Sequence, residues 1–187
     1  MKRIAIFASG SGSNAENIIE YFRKEKTAIV AKVFCNNPKA KIFERCKRLQ
    51  IDAVLFSKEE FFKSDVILQH LKEVADFVVL AGFLLKIPTN IIDAFPNKII
   101  NIHPALLPKY GGKGMYGMHV HTAVKENNEQ ETGITIHFVN ENYDEGAIIF
   151  QATTKLESSD SPENIAQKIH TLEYKHFPKV IESVILQ

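Results

Sequence analysis

Apolar residues in the first half of the chain follow two patterns that alternate along the sequence. Short apolar runs bounded by turn residues predict buried strands. The predicted strands are Ile4–Ala8, Ile29–Cys35, Ala53–Phe56, Phe77–Ala81 and Ile99–Ile102. Between these runs, apolar residues recur at helical spacing, as in the segment that begins at Ala15. The alternation predicts an α/β protein with a mostly parallel, twisted sheet and helices on both of its faces.

Two serines mark the predicted starts of further helices. Ser57 with Glu60 has the spacing of a capping box, which predicts one helix in the segment before Phe77. Ser161 is followed by Pro162, and proline suits the first position of a helix. The last helix is therefore predicted to begin there.

The second half of the chain changes character after a glycine-rich loop at Lys109–Gly117. His119–Glu126 is a predicted short helix. The segment Gly133–Val139 then alternates strictly, which predicts a strand with one apolar face and one polar face. Its polar face carries Thr135 and His137. Ala147–Thr154 follows after turn residues, so the pair is predicted to form an antiparallel edge of the sheet.

Composition limits the classes of protein that fit. The chain has 187 residues, a 45% apolar fraction and a net charge of +1, which fit one globular domain over residues 1–187. Such a charge gives no general attraction to nucleic acid or membranes. Cys35 and Cys46 form no C-x-x-C pair and are expected to be reduced core residues of a cytoplasmic protein. No apolar run approaches the length of a membrane span.

A glycine loop follows the first predicted strand. Gly10–Ala15 matches G-x-G-x-x-A, a dinucleotide-binding pattern, but that pattern needs an acidic residue after the second strand, where Asn36 and Asn37 stand instead. A phosphate site remains, because Gly12, Ser13 and Asn14 open a helix whose N–H groups attract anions. An ordinary tight turn, with Ser13 or Asn14 as the helix cap, fits equally well.

Asn101 and His103 stand at the end of a predicted strand and just before Pro104. Residues two apart on a strand point to the same side, and ligands of α/β sheets bind at the strands' carboxyl ends. An amide and a protonated imidazole suit an oxygen that becomes negative during acyl transfer. A nearby carboxylate would raise the pKa of the histidine and keep it protonated. The turn after Val139 offers three carboxylates, Glu141, Asp144 and Glu145, and spacing alone does not choose among them.

These motifs, in this order, resemble those of the phosphoribosylglycinamide formyltransferases over essentially the whole chain. The matching segments are G-S-G-S-N at Gly10–Asn14, L-A-G-F at Leu80–Phe83, N-I-H-P-A-L-L-P at Asn101–Pro108, H-V-H-T-A at His119–Ala123, T-G-I-T-I-H-F-V at Thr132–Val139, D-E-G at Asp144–Gly146 and E-Y-K-H-F-P at Glu173–Pro178. Each segment is weak alone, whereas the ordered set is specific. The resemblance implies a Rossmann-like formyltransferase fold in a single domain.

The resemblance also assigns roles. Formyl would pass from 10-formyltetrahydrofolate, a co-substrate, to the amino group of N1-(5-phosphoribosyl)glycinamide in purine biosynthesis. Asn101, His103 and Asp144 would be catalytic, the loop residues Gly12, Ser13 and Asn14 would bind the phosphate, and Glu173 would bind the ribose. Thr135 and His137, on the polar face of their strand, would line the active site. The residues implied for the folate are Lys58, Leu84, Leu85, Lys86, Ile87, Asn101, Asn140, Glu141, Tyr143 and Asp144.

Several points stay open at this stage. A formyltetrahydrofolate deformylase or a nucleotide-binding module without catalysis are the competing functions. The loop Lys109–Gly117 would be either a mobile lid whose Lys113 meets phosphate or a variable surface insertion. His119 and His121 point apart on a helix, so no metal is expected, and they would order the loop or line the substrate. The expected partners are the two small substrates, with a monomer or weak homodimer as the assembly.

Overall fold

The computed structural model describes residues 1–187 as seven strands and seven helices. The strands are β1 (Lys2–Phe7), β2 (Ala28–Cys35), β3 (Ala53–Leu55), β4 (Phe77–Leu80), β5 (Ile99–His103), β6 (Glu131–Phe138) and β7 (Ile148–Lys155). The helices are α1 (Ser13–Glu25), α2 (Ile42–Leu49), α3 (Lys58–Phe62), α4 (Val66–Val74), α5 (Thr89–Ala94), α6 (Met118–Glu126) and α7 (Pro162–Ile185). None of these helices is both long and apolar enough to cross a membrane.

All seven strands form one sheet in the order β3-β2-β1-β4-β5-β6-β7. The strands from β3 to β5 pair in parallel, whereas β6 pairs antiparallel with both β5 and β7. The predicted α/β fold with an antiparallel C-terminal edge is therefore confirmed. The chain leaves β1 toward β2 on one side and returns through β4 on the other, so a crevice opens between the carboxyl ends of β1 and β4.

The sheet is buried on both faces, which explains the continuous apolar run of β1. Ile4 and Ile6 belong to the larger core, which also contains the inner faces of α1 and α7. Ala5 and Phe7 point the other way, into a smaller core that includes residues of α3, α4 and α5. All four side chains are fully buried. A strand enclosed in this way holds the loop that follows it firmly in place.

Three local predictions were wrong or incomplete. The Ser57–Glu60 capping box is present, but α3 ends at Phe62 and a second helix, α4, follows it. The short helix α5 was not predicted, because six residues are too few to show a helical period. The polar face predicted for β6 is present, but its Thr135 and His137 are both buried. Their polar groups are satisfied by hydrogen bonds inside the protein instead.

A close backbone approach predicts that Gly133 on β6 cannot accept a side chain. A Cβ at this position would lie 2.0 Å from the Ala152 carbonyl oxygen on β7. We expect Gly133→Ala to lower the free energy of unfolding by about 1–3 kcal/mol, as overpacking does elsewhere, measured by urea denaturation. Gly10→Ala is the matched control, because a Cβ at Gly10 meets nothing within 4 Å. Equal stability of the two variants would contradict the prediction.

Candidate active site

A cavity of about 500 Å³ lies at the carboxyl ends of β1, β4 and β5. Four segments form most of its wall: Gly10–Asn14 after β1, Ala81–Leu84 after β4, Asn101–Pro104 at the end of β5, and Gly112–Gly117. Tyr143, Asp144, His121, His170 and Glu173 complete it. The sheet topology therefore gathers the predicted catalytic and phosphate-binding residues into one space.

The glycine loop enters this cavity as an uncapped helix end. Gly12 is the N-cap of α1 with φ 74°, and no side chain caps the helix. Ser13 and Asn14 are already helical, so the alternative in which one of them caps the helix is wrong. A Cβ on Gly12 would lie 2.2 Å from Ile42 Cδ1, so this position needs glycine for space as well as for conformation. The first-turn N–H groups are left without a side-chain acceptor, as an anion site requires.

A buried carboxylate lies beside the glycine loop. Glu173 on α7 is only 5% exposed. Its Oε2 accepts hydrogen bonds from Asn14 Nδ2 at 2.9 Å and from His170 Nδ1 at 2.8 Å. The hydrogen bond to Glu173 raises the pKa of His170 above its usual value. The predicted ribose residue thus faces the same end of the cavity as the predicted phosphate loop.

Two buried polar atoms near this carboxylate have no partner. They are Asn14 Oδ1 and His121 Nδ1, both on residues that line the cavity. Burial lowers the pKa of His121, which favours its neutral form. Buried polar atoms are nearly always hydrogen-bonded in folded proteins, so an unpaired acceptor and ring nitrogen fit a site that a polar ligand completes.

Asn101, His103 and Asp144 come together as predicted. His103 Nδ1 lies 3.5 Å from Asp144 Oδ2. His103 Nε2 contacts the carbonyl oxygen of Tyr110 at 2.7 Å. Asp144 is the only carboxylate of its turn that lines the cavity, whereas Glu141 and Glu145 are exposed and lie outside its wall. Geometry therefore selects Asp144 among the three candidates.

The electrostatics of this pair differ from the expectation. Burial lowers the pKa of His103 below its usual value, and the charge of Asp144 offsets this effect only in part. Asp144 therefore raises the pKa of His103 as predicted, but burial of this residue, which is 3% exposed, outweighs it, so the net shift is downward and the ring is not held protonated. Burial alone would raise the pKa of Asp144, but its neighbours His137 and His103 and the Gly112 N–H together lower it. Asp144 is thus an anion at neutral pH.

His137 is a neighbour of Asn101 whose position was predicted incorrectly. Neither His137 nor Thr135 borders the cavity. His137 Nδ1 lies 2.8 Å from the Phe138 carbonyl oxygen, so Nδ1 donates there and Nε2 accepts from Asn101 Nδ2 at 3.0 Å. This bond fixes which way the Asn101 amide points and leaves its second N–H free. The register that pairs Asn101 with His137 across β5 and β6 was not readable from spacing along the chain.

Thr135 supports the site from behind. Its hydroxyl donates to the Ala105 carbonyl at 2.7 Å and accepts from the Leu107 N–H at 3.0 Å. It thereby holds the turn that follows the N-I-H-P motif.

Comparison with known proteins agrees with this geometry. The formyl transferase family matches residues 2–181. The chain belongs to the formyl transferase family.

Individual relatives narrow the resemblance to one branch of this family. The phosphoribosylglycinamide formyltransferase of Bacillus subtilis is 36% identical over 191 residues, which cover 99% of this chain and 95% of the relative. The chloroplastic phosphoribosylglycinamide formyltransferase of Arabidopsis thaliana is 38% identical over 190 residues. The match covers 98% of this chain but only 65% of the length of that relative. Among solved structures, the phosphoribosylglycinamide formyltransferase of Bacillus halodurans is 35% identical with a TM-score of 0.87, covering 98% of this chain and 95% of its own. The predicted resemblance to phosphoribosylglycinamide formyltransferases is therefore confirmed.

The residues that this formyl transferase was predicted to use for folate are only partly gathered at the cavity. Asn101, Asp144, Leu84 and Tyr143 line it. The others lie beyond its wall: Lys58, Asn140 and Glu141 are exposed, Leu85 and Ile87 pack in the smaller core, and Lys86 Nζ lies 5.8 Å from the centre of the Tyr143 ring. Their folate contacts stay predictions.

The loop at Lys109–Gly117 forms one wall of the cavity. Its residues from Gly112 to Gly117 line the space, including the exposed Lys113. Gly112 and Gly114 have φ angles of 92° and 90°, which only glycine adopts easily. This position favours a role at the site over an unrelated surface insertion.

The charge balance around His103 yields a titration prediction. We expect its imidazole to titrate below the ordinary value of about 6.5, and Asp144→Asn to move that pKa further down, because the substitution removes the negative charge that raises it. The measurement is an NMR titration of the ring proton, assigned with a His103→Asn variant. Glu145→Gln removes an exposed carboxylate of the same turn and should leave the pKa unchanged. An upward shift in Asp144→Asn would contradict the prediction.

Proposed function

We propose that this protein transfers the formyl group of 10-formyltetrahydrofolate to the amino group of N1-(5-phosphoribosyl)glycinamide, a step of purine biosynthesis. The observation that carries the proposal is that one cavity connects an uncapped helix N-terminus to an Asn–His–Asp trio. The first feature suits a phosphate and the second suits acyl transfer. The names of the relatives, phosphoribosylglycinamide formyltransferase, support the same formyl acceptor.

The ribonucleotide would lie along the wall formed by α1 and α7. Its phosphate would accept from the N–H groups of Gly12, Ser13 and Asn14, and its ribose hydroxyls would donate to Glu173. Three facts support this placement: the missing cap of α1, the buried Glu173 carboxylate, and the unpaired Asn14 Oδ1 and His121 Nδ1 beside it. The glycine amine would then reach toward Asn101.

The folate would enter from the opposite rim. Leu84 is 50% exposed and Tyr143 is 41% exposed, although both line the cavity. Large apolar side chains left open at a cavity mouth fit the flat ring of a pterin. Lys58 would meet the negatively charged glutamate tail, a role supported only by its charge and its exposure at the start of α3.

The reaction would be a direct transfer. The unprotonated amine attacks the formyl carbon, forming a C–N bond, and the carbonyl oxygen becomes negative. The free N–H of Asn101 donates to that oxygen, and the positive charge of His103, once its ring is protonated, stabilises it. The bond from carbon to the folate nitrogen then breaks, and the proton lost by the amine moves to the departing nitrogen through His103 or water. Asp144, an anion beside His103, stabilises the ring whenever it carries the extra proton. Holding both substrates in line can contribute roughly 7–11 kcal/mol.

We also propose that residues 1–187 act as one formyltransferase domain in the cytoplasm, as a monomer or weak homodimer. The single seven-stranded sheet supports one domain. The two buried, unpaired cysteines fit a reducing compartment.

The proposed catalytic roles predict large losses of turnover. Asn101→Ala and Asp144→Ala should each lower kcat by about 10²–10³, because the first removes an N–H that stabilises the developing oxyanion and the second removes the anion that stabilises protonated His103. Circular dichroism and thermal unfolding should show that both variants remain folded. Asn142→Ala, an exposed residue of the Asp144 turn, should keep kcat within about twofold. Near-normal kcat in either active-site variant would remove its assigned role.

The nature of the acceptor is tested by a spectroscopic assay of folate deformylation with and without the ribonucleotide. We expect deformylation only when the ribonucleotide is present, and a formylated ribonucleotide as the product. Formate release at the same rate without the ribonucleotide would instead identify a formyltetrahydrofolate deformylase.

A further inference from the structure

One backbone contact of His103 comes from outside the Asn–His–Asp trio. The Tyr110 carbonyl oxygen lies 2.7 Å from His103 Nε2. Two residues later, the Gly112 N–H donates to Asp144 Oδ2 at 2.9 Å. The segment Tyr110–Gly112, called the clamp segment below, therefore contacts both His103 and Asp144 at once. A shift of this segment would move the partners of both groups together.

The clamp segment has little freedom to shift without losing these contacts. Tyr110 has φ 58°, in the left-handed region that side chains other than glycine rarely adopt. A Cβ on Gly111 would lie 2.5 Å from Leu107 Cδ2 and 3.3 Å from Asp144 Cβ. An unfavourable backbone conformation persists only where its surroundings enforce it, so an anchor for Tyr110 is required.

Glu129 supplies that anchor. Its Oε1 accepts from the Tyr110 hydroxyl at 2.8 Å and from Lys109 Nζ at 2.9 Å. Burial and the bond to Glu129 raise the pKa of Tyr110 to about 12, whereas Lys109 and Tyr110 lower the pKa of Glu129. A neutral hydroxyl thus donates to a carboxylate anion, which is a strong form of hydrogen bond.

The anchor lies outside the active-site cavity. Glu129 and the Tyr110 side chain border a separate cavity of about 170 Å³, together with Lys109. None of these three residues lines the larger cavity. Any effect of the anchor on the reaction must therefore pass through the backbone of the clamp segment.

We propose that Tyr110 and Glu129 are positioning residues: their hydrogen bond sets the clamp segment, whose carbonyl oxygen and N–H fix the rotation of His103 and the orientation of Asp144 for formyl transfer. This inference rests on the proposed catalytic role of His103. It adds two residues that touch neither substrate, and it explains why the glycine-rich loop must begin in a fixed conformation.

The pKa of His103 depends on several charged and polar neighbours, and the anchor can change only some of their contributions. Asp144 raises the pKa of the ring, as do the Tyr110 carbonyl and the more distant Glu173, whereas burial and His137 lower it. His121 is a further titratable neighbour. The contributions of the Tyr110 carbonyl and, through the Gly112 N–H, of Asp144 depend on the anchor, and weakening either should lower the pKa of His103.

The test compares Tyr110→Phe and Glu129→Ala with wild type. Both variants should lower kcat by about tenfold, leave the KM for each substrate within twofold and lower the NMR-measured pKa of His103. Glu129→Gln retains an acceptor for the hydroxyl and should recover most of kcat. Lys109→Met removes only the other partner of Glu129 and should behave like wild type.

Two results would overturn the inference. One is an unchanged pKa of His103 in Tyr110→Phe. The other is a loss of thermal stability with KM and kcat altered together, which would indicate a merely structural role. The titration needs no substrate, so it tests the positioning of His103 independently of the reaction. An absence of ribonucleotide-dependent transfer in the wild-type protein would refute the proposed function and not this inference.

Discussion

The burial of the Asp144 carboxylate is the constraint around which the site is built. An ionised group in the interior is costly unless nearby donors and charges compensate for the lost water. Here the Gly112 N–H donates to the carboxylate, and the rings of His103 and His137 lie 3.5 and 3.7 Å from it, so its neighbours come from three different segments. Placing one charge correctly therefore requires that β5, β6 and the glycine-rich loop all adopt their positions. The site is an outcome of tertiary structure and not of any single motif.

The turn that carries Asp144 shows how tightly this placement is enforced. Asp144 has φ 56°, and a Cβ on Gly146 would lie 1.7 Å from the Phe138 carbonyl oxygen. Glycine at 146 lets the chain pass directly against the end of β6, where Phe138 N–H also bonds to the Ala147 carbonyl. The D-E-G motif thus combines the charged group with the residue that allows the turn to reach it.

The sequence patterns that succeeded were those in which neighbours along the chain determine the outcome. The apolar run of β1 and the Ser57–Glu60 capping box depend on local geometry, and both were predicted correctly. The arrangement of Asn101 and His103 on one side of β5 follows from the period of a strand. The position of His137 was predicted incorrectly, because alternation of polar residues does not reveal whether the polar face of a strand lines a cavity or is buried against other hydrogen-bonding groups.

The features that sequence reasoning missed depend on contacts across the fold. The Tyr110 contact uses a backbone carbonyl, which every residue possesses, so no residue type marks it. The direction of the pKa shift of His103 depends on how deeply the ring is buried, and the sequence shows a nearby carboxylate but not the depth of burial. Among the three carboxylates of its turn, Asp144 was indicated by the family motifs and not by spacing along the chain. The cavity, which Asp144 lines and Glu141 and Glu145 do not, makes the same choice without the family.

The two ends of the cavity carry histidines whose pKa values move in opposite directions from the same two causes. At His170 the hydrogen bond to Glu173 outweighs burial, and the pKa rises. At His103 burial outweighs Asp144, and the pKa falls. The pairing with Glu173 thus favours the protonated form of His170, whereas burial favours the neutral form of His103. Under the proposed mechanism, a neutral His103 can accept the proton that the attacking amine loses, while a protonated His170 and the Glu173 carboxylate together carry no net charge.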